Sequence, residues 1–211
     1  MKSILLIDGG YLRNIARDAG HAYTTDFIEA FARVCILDGE SLQRVLYYDC
    51  PQYRGRQRLP VSGETKHFTA SDKWLTDLAC RELFAVRRGT LAFRGWVPRS
   101  TPIQERGALT DDHFRPNFEQ KGVDMRIGLD IATISANGRI DRIVLLSGDT
   151  DLIPATKHAR KANLEVIGIQ LPTPPAQPLR PALCAHLDSV RRVEWPETAK
   201  AEPALPQAAT L

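Results

Sequence analysis

Two aliphatic runs that each end in acid constrain this chain more than any other feature. Ser3-Ile4-Leu5-Leu6-Ile7-Asp8-Gly9-Gly10 opens it, and Ile143-Val144-Leu145-Leu146-Ser147-Gly148-Asp149-Thr150-Asp151 repeats the design later. Runs this short and this apolar read as parallel strands buried on both faces. An ionised carboxylate costs several kcal/mol to bury unless a cation, a charge partner or hydrogen bonds satisfy it, so acids at strand ends invite a metal. In open α/β sheets ligands bind beyond the carboxyl ends of the strands, where the strand order reverses. Two acid-bearing strand ends opening on one edge place the chemistry there.

The 211 residues, 43% hydrophobic and 25% charged, suffice for one well-buried α/β domain plus extras. Cys35, Cys50, Cys80 and Cys184 lie far apart, with no Cys-x-x-Cys spacing and no nearby His pairs, which argues against a zinc site and a disulfide framework. The apolar stretch before Asp8 is too short for a signal-peptide core or a membrane span, so the expected location is cytoplasmic.

Strand and helix alternate along the chain. Helices are expected over 11–19 and 25–37, the second capped by Thr24 or Thr25, with a strand over 44–48 between them and the middle segment. Residues 49–120 are less regular: a basic loop through Arg54, Arg56 and Arg58, a helix over 71–80, and strands over 83–86 and 90–96. A long helix runs over 123–137 to Asn137-Gly138, and strand, helix and strand follow through Ile169. The fold class is α/β with a mainly parallel sheet. Eight of the fourteen prolines fall between Pro172 and Pro206. That composition predicts a linker over 172–181, a short element over 182–195 that docks back, and disorder over 197–211.

Ile7-Asp8-Gly9-Gly10, then Lys121-Gly122-Val123-Asp124-Met125 opening a helix with Asp130 six residues on, then Ser147-Gly148-Asp149-Thr150-Asp151 followed by helix, resemble the NYN family of PIN-like nucleases. The resemblance covers roughly the first 170 residues. It implies a PIN-like, Rossmannoid three-layer fold over 1–171, with a basic insertion at about 50–120 and a Pro/Ala-rich extension over 172–211. It also implies acids that bind magnesium or manganese and hydrolyse phosphodiester bonds, mostly in RNA. One departure stands out: the family often has Asn three residues after the first Asp, where this chain has Tyr11.

Oxygen-only sites suit Mg2+ or Mn2+, which can activate water, orient a phosphate and stabilise the leaving oxygen. Asp8 and Asp149 are the expected direct ligands, Asp124 and Asp151 complete the cluster directly or through water, and Ser147 holds a carboxylate from behind. Gly9 and Gly148, beside the two strand-end acids, support them. Asp130, on the helical face of Val123, Ile127 and Ile134, reads either as a helper of the metal site or as an acid paired to an arginine in structure only. Each acid also has an ordinary reading: Asp124 as a helix-dipole partner, Asp151 as an N-cap, Asp8 as a turn residue. Their joint order favours the metal cluster.

From Gln52 to Arg106 there are 11 Lys plus Arg against 5 Asp plus Glu, whereas the whole chain is only +3. Tyr53 among Arg54, Arg56 and Arg58, and Phe93 with Trp96 around Arg94 and Arg99, interleave cations with rings, a composition that suits single-stranded RNA. Lys121 joins this set. Single-stranded DNA remains an alternative substrate, and PIN-like proteins often associate, which leaves a homo-oligomer open. Two other classes compete. A phosphatase of the haloacid dehalogenase type also ends a strand in Gly-Asp, but needs a second Asp two residues after the first, where this chain has Gly10. A non-catalytic RNA-binding or assembly module of the same fold draws its support from Tyr11.

Overall fold

In a computed structural model, residues 1–100 and 109–197 are described. The elements follow in the order β1 (Lys2–Asp8), α1 (Gly9–Asp18), α2 (Thr25–Val34), β2 (Ser41–Asp49), β3 (Gly55–Arg58), β4 (Thr65–Phe68), α3 (Lys73–Ala79), β5 (Phe84–Arg88), β6 (Thr90–Pro98), β7 (Phe114–Lys121), α4 (Val123–Asn137), β8 (Arg142–Leu146), α5 (Ile153–Lys161), β9 (Glu165–Gln170), α6 (Pro181–Cys184) and β10 (Ser189–Arg192). Six strands form a sheet in the order β10-β9-β8-β1-β2-β5, and every pairing in it is parallel.

Successive side chains of a strand point to opposite faces, and here both faces are buried. Leu5 and Ile7 of β1, Val45 and Tyr47 of β2, and Val144 and Leu146 of β8 join α1, α2 and α3 in one core. Ile4, Leu6, Leu46, Tyr48, Ile143 and Leu145 join α4, α5 and the α6 region in the other. The result is a three-layer α/β/α sandwich, as the sequence predicts.

Strand β1 lies between β2, the next strand in sequence, and β8, which comes much later. The strand order therefore reverses at β1, and the crevice beyond the β1 and β8 carboxyl ends is the switch point where such sheets bind ligands. Helix α4 spans the sequence-expected residues, entered through Gly122 and left through Gly138, both left-handed. Helix α2 is capped by the Thr24 side chain, which accepts from the Phe27 N–H.

Two regions differ from the sequence reading. The middle segment contains two antiparallel hairpins, β3–β4 and β6–β7; neither β3–β4 nor β7 is foreseen by the pattern. Both leave the carboxyl edge of the sheet, the first after β2 and the second after β5. The Asp111 carboxylate joins them by accepting from Val61 N–H at 2.9 Å. The proline-rich stretch is no free linker: Ala176 and Leu179 are buried, and the Leu179 N–H donates to the Gln170 side chain at 2.7 Å. The following segment does dock, because β10 pairs with β9 as the sixth strand. The disorder expected beyond residue 197 lies outside the described residues. Among the described residues, no helix is long and apolar enough to cross a membrane.

Candidate metal and nuclease centre

Asp8 is the last residue of β1 and the N-cap of α1, and its carboxylate accepts from the Tyr11 N–H at 3.1 Å. Gly9 and Gly10, which begin the helix, are glycines for want of room. A Cβ on Gly9 would lie 2.4 Å from the Tyr47 ring, and one on Gly10 would lie 2.8 Å from the Gln120 amide. Across the crevice, Asp149 caps the 3₁₀ turn Thr150–Leu152 that leads into α5, accepting from the Asp151 N–H at 2.9 Å. A Cβ on Gly148 would lie 2.8 Å from the Tyr11 ring, so Tyr11 fills the seam between the two acid-bearing loops. The departure from the family's usual Asn thus places a phenol at the rim of the crevice. Asp124 comes from the exposed first turn of α4.

The acids sense one another. Burial pushes the Asp8 pKa up to about 6; the Tyr11 N–H opposes this, and the charges of Asp124 and Asp49 add to it. The Asp124 pKa is also raised, by desolvation and then by the charges of Asp149 and Asp151. Asp8, Asp124, Asp149 and Asp151 make no ion pair among the described residues. Their neighbours differ. Asp130 is held by Tyr48 Oη and Arg87 Nε, each at 2.9 Å, so of its two sequence readings the structure favours the arginine partner. Asp49, at the end of β2 and fully buried, is paired with Arg13.

This contrast sorts the acids: Asp49 and Asp130 are neutralised by arginines, whereas Asp8 and Asp124 are held above the usual carboxylate range by burial and then by neighbouring carboxylates, a cost that a cation would relieve. No group of three His, Cys, Asp or Glu side chains among the described residues converges tightly enough to hold an ion unaided. An ion there would need water or substrate oxygens beside the expected ligands Asp8 and Asp149, with Asp124 and Asp151 acting directly or through water. The donor set still fits Mg2+, which keeps several waters and is commonly held by one or two carboxylates together with substrate phosphates. Ser147 is buried, but its hydroxyl accepts from the Asp149 N–H at 3.2 Å. It braces the backbone rather than a carboxylate.

The basic arm is partly engaged. Arg54 is spent on Ala70 O and Asp72, and Arg94 and Lys121 are both paired with Glu119. Tyr53, Phe68, Phe93, Trp96 and Phe118 pack edge and face against one another. Trp96 Nε1 also donates to Arg58 O at 2.7 Å. These rings, all half-buried, pack the two hairpins against each other. Arg56 and Arg58 stay exposed with no ion-pair partner among the described residues.

Asp49, Arg13, Tyr47, Tyr23 and Gln120 were missed by the sequence reading. The signal lay in Arg44-Val-Leu-Tyr-Tyr-Asp49, a third apolar strand ending in acid.

A parallel α/β/α sheet with carboxylates gathered at its switch point is the arrangement of a PIN-like domain. Residues 88–189 match the model of the NYN domain, a PIN-like nuclease domain. The match takes in Asp124, Asp149 and Asp151, and leaves Asp8 before it. A crystal structure of a protein of unknown function from Vibrio parahaemolyticus is similar in fold, with a TM-score of 0.50 at 16% identity over 90% of this chain and 91% of that one. No curated protein matches.

Proposed function

We propose that this protein is a metal-dependent nuclease acting on single-stranded RNA at the β1–β8 crevice. The observation that carries the reading is four carboxylates at one sheet edge, Asp8, Asp124, Asp149 and Asp151, that have no ion-pair partner among the described residues, beside Asp49 and Asp130, which have arginines. Asp8 and Asp149, fixed at the ends of parallel strands, would hold Mg2+ or Mn2+, with Asp124 and Asp151 acting directly or through water. The bound ion would supply Lewis acidity toward the phosphodiester and a water of lowered pKa.

The chain's own residues do the rest. The strand end and the caps at Asp8 and Asp149 anchor these two carboxylates, and the ion with its waters and a substrate phosphate would complete the site. Tyr11 narrows the crevice between the acid loops, and the hairpin β3–β4 from the same sheet edge brings Arg56 and Arg58, exposed and without an ion-pair partner among the described residues, to the phosphate backbone. Because these arginines contact substrate away from the reacting bond, Arg56→Ala with Arg58→Ala is expected to raise KM for RNA about tenfold at moderate salt. kcat should stay within about twofold, and the KM effect should shrink as salt rises. Steady-state kinetics at two salt concentrations reads both effects.

The test of the function is cleavage of end-labelled single-stranded RNA in Mn2+, Mg2+ or EDTA, beside DNA of the same sequence and a small phosphomonoester. Metal-dependent RNA fragments support the proposal. Phosphate release from the monoester alone would favour a phosphatase, and binding without cleavage would favour a non-catalytic module.

A further inference from the structure

We infer that Asp49 is a positioning residue for Asp8, acting through a clamp that holds the Gly9-Gly10 turn; this rests on the proposed role of Asp8 as a metal ligand. Asp49 ends β2 beside β1, where Asp8 pairs with Tyr48. Its carboxylate is wholly buried and fully engaged. It takes Arg13 as its ion partner and accepts from Tyr47 Oη at 3.1 Å, the Cys50 N–H at 2.7 Å and Gln120 Nε2 at 3.3 Å. Two of these four donors belong to the side chains that meet the turn. The Tyr47 ring lies 2.4 Å from where a Gly9 Cβ would be, and the Gln120 amide 2.8 Å from where a Gly10 Cβ would be. A third link closes the frame: Tyr47 Oη and Tyr23 Oη are 2.8 Å apart, and Tyr23 Oη donates to Gly9 O at 3.3 Å.

The turn directly following Asp8 is therefore gripped from two sides by groups that one buried carboxylate orients. Arg13, from α1 itself, carries the countercharge, so the helix that Asp8 caps is tied to the same point. A merely structural ion pair would not require its secondary donors to converge on the two residues after a candidate ligand. With the clamp loosened, Asp8 keeps its place in the sequence but loses its fixed approach to the ion and the phosphate. A displacement of this kind lowers turnover more than substrate binding.

The experiment uses the full chain and measures Mn2+ binding by calorimetry, kcat and KM on end-labelled RNA, and the melting temperature. Tyr47→Phe keeps the ring and removes the hydroxyl; Gln120→Met and Asp49→Asn complete the set, with Asp8→Asn as the reference. The expected result is kcat lowered about tenfold or more in Tyr47→Phe and Asp49→Asn, with KM within about twofold and Mn2+ affinity reduced several-fold. Should Asp49→Asn fail to fold, Tyr47→Phe and Gln120→Met carry the test. Variants that melt earlier yet match wild type in Mn2+ affinity and kcat, while Asp8→Asn loses both, would overturn the positioning role alone. An Asp8→Asn protein indistinguishable from wild type in both would overturn the metal-nuclease reading and this role with it.

Discussion

Asp8→Asn is expected to abolish turnover, lowering kcat about a thousandfold or more, while raising the melting temperature in metal-free buffer. The first effect follows from the proposed role of Asp8, because removing it would take away a charge that holds the ion in the crevice. The second follows from the cost of burying that charge, to which the charges of Asp124 and Asp49 add. Holding the Asp8 carboxyl at about 6 rather than 3.8 corresponds to a penalty of roughly 3 kcal/mol on the ionised form. Because the folded chain binds this proton more tightly than the unfolded chain, the stability Asp8 contributes is fully present below pH 3.8 and is lost as pH rises through about 6.

Above that pH the wild type carries the whole penalty and the asparagine variant none. Asparagine keeps an oxygen to accept from the Tyr11 N–H, so the helix cap survives. Thermal melts at pH 7.5 should show the variant several degrees more stable without metal, and Mn2+ should stabilise the wild type more than the variant. A variant less stable than wild type at that pH would contradict the cost assigned to the buried Asp8 charge.

Glu40→Gln is expected to destabilise the fold by about 3–5 kcal/mol, the range for breaking a buried ion pair from one side. The Glu40 side chain is 5% exposed and faces two arginines from distant parts of the chain, Arg142 of β8 and Arg191 of β10. It also accepts from the Leu37 N–H at 3.0 Å. Burial alone would raise its pKa, but hydrogen bonds from Arg191 and the Leu37 N–H, with Arg142 adding, hold it at about 2.

The sign is opposite to that of Asp8: stability from Glu40 is present above the unfolded value of 4.5 and is lost as pH falls toward 2. Arg191 donates as well to Cys35 O, so this cluster fastens the edge strand β10 to the body of the sheet. Urea unfolding at pH 7 should show the midpoint falling in Glu40→Gln, with the gap from wild type closing as pH approaches 2. Equal midpoints at neutral pH would show that the arginines find other partners.

The legible parts of the sequence were those where one physical signal dominated. Strands β1 and β8 are continuous aliphatic runs because both faces of the sheet are covered, and α4 is bracketed by two left-handed glycines. Strands β3 and β4 were not legible, because Gly-Arg-Gln-Arg and Thr-Lys-His-Phe carry no alternating apolar pattern and pair on a small aromatic core. Strand β7 contains Pro116, which speaks against a strand unless it lies at an edge. The 172–181 segment has a linker's composition, yet Gln170 gives its backbone hydrogen bonds that composition does not reveal. In the site, sequence order was enough to nominate Asp8, Asp124, Asp149 and Asp151. It could not say that Asp130 is taken by Arg87 or that Asp49 stands behind Asp8, since both depend on which arginine the fold brings near.

The most direct test of the account is cleavage of end-labelled single-stranded RNA in Mn2+ and in EDTA by wild type and Asp149→Asn side by side. Fragments formed by wild type only with the metal, and absent with the variant, are the predicted result. Cleavage by Asp149→Asn at the wild-type rate, or wild-type cleavage undiminished by EDTA, would contradict it.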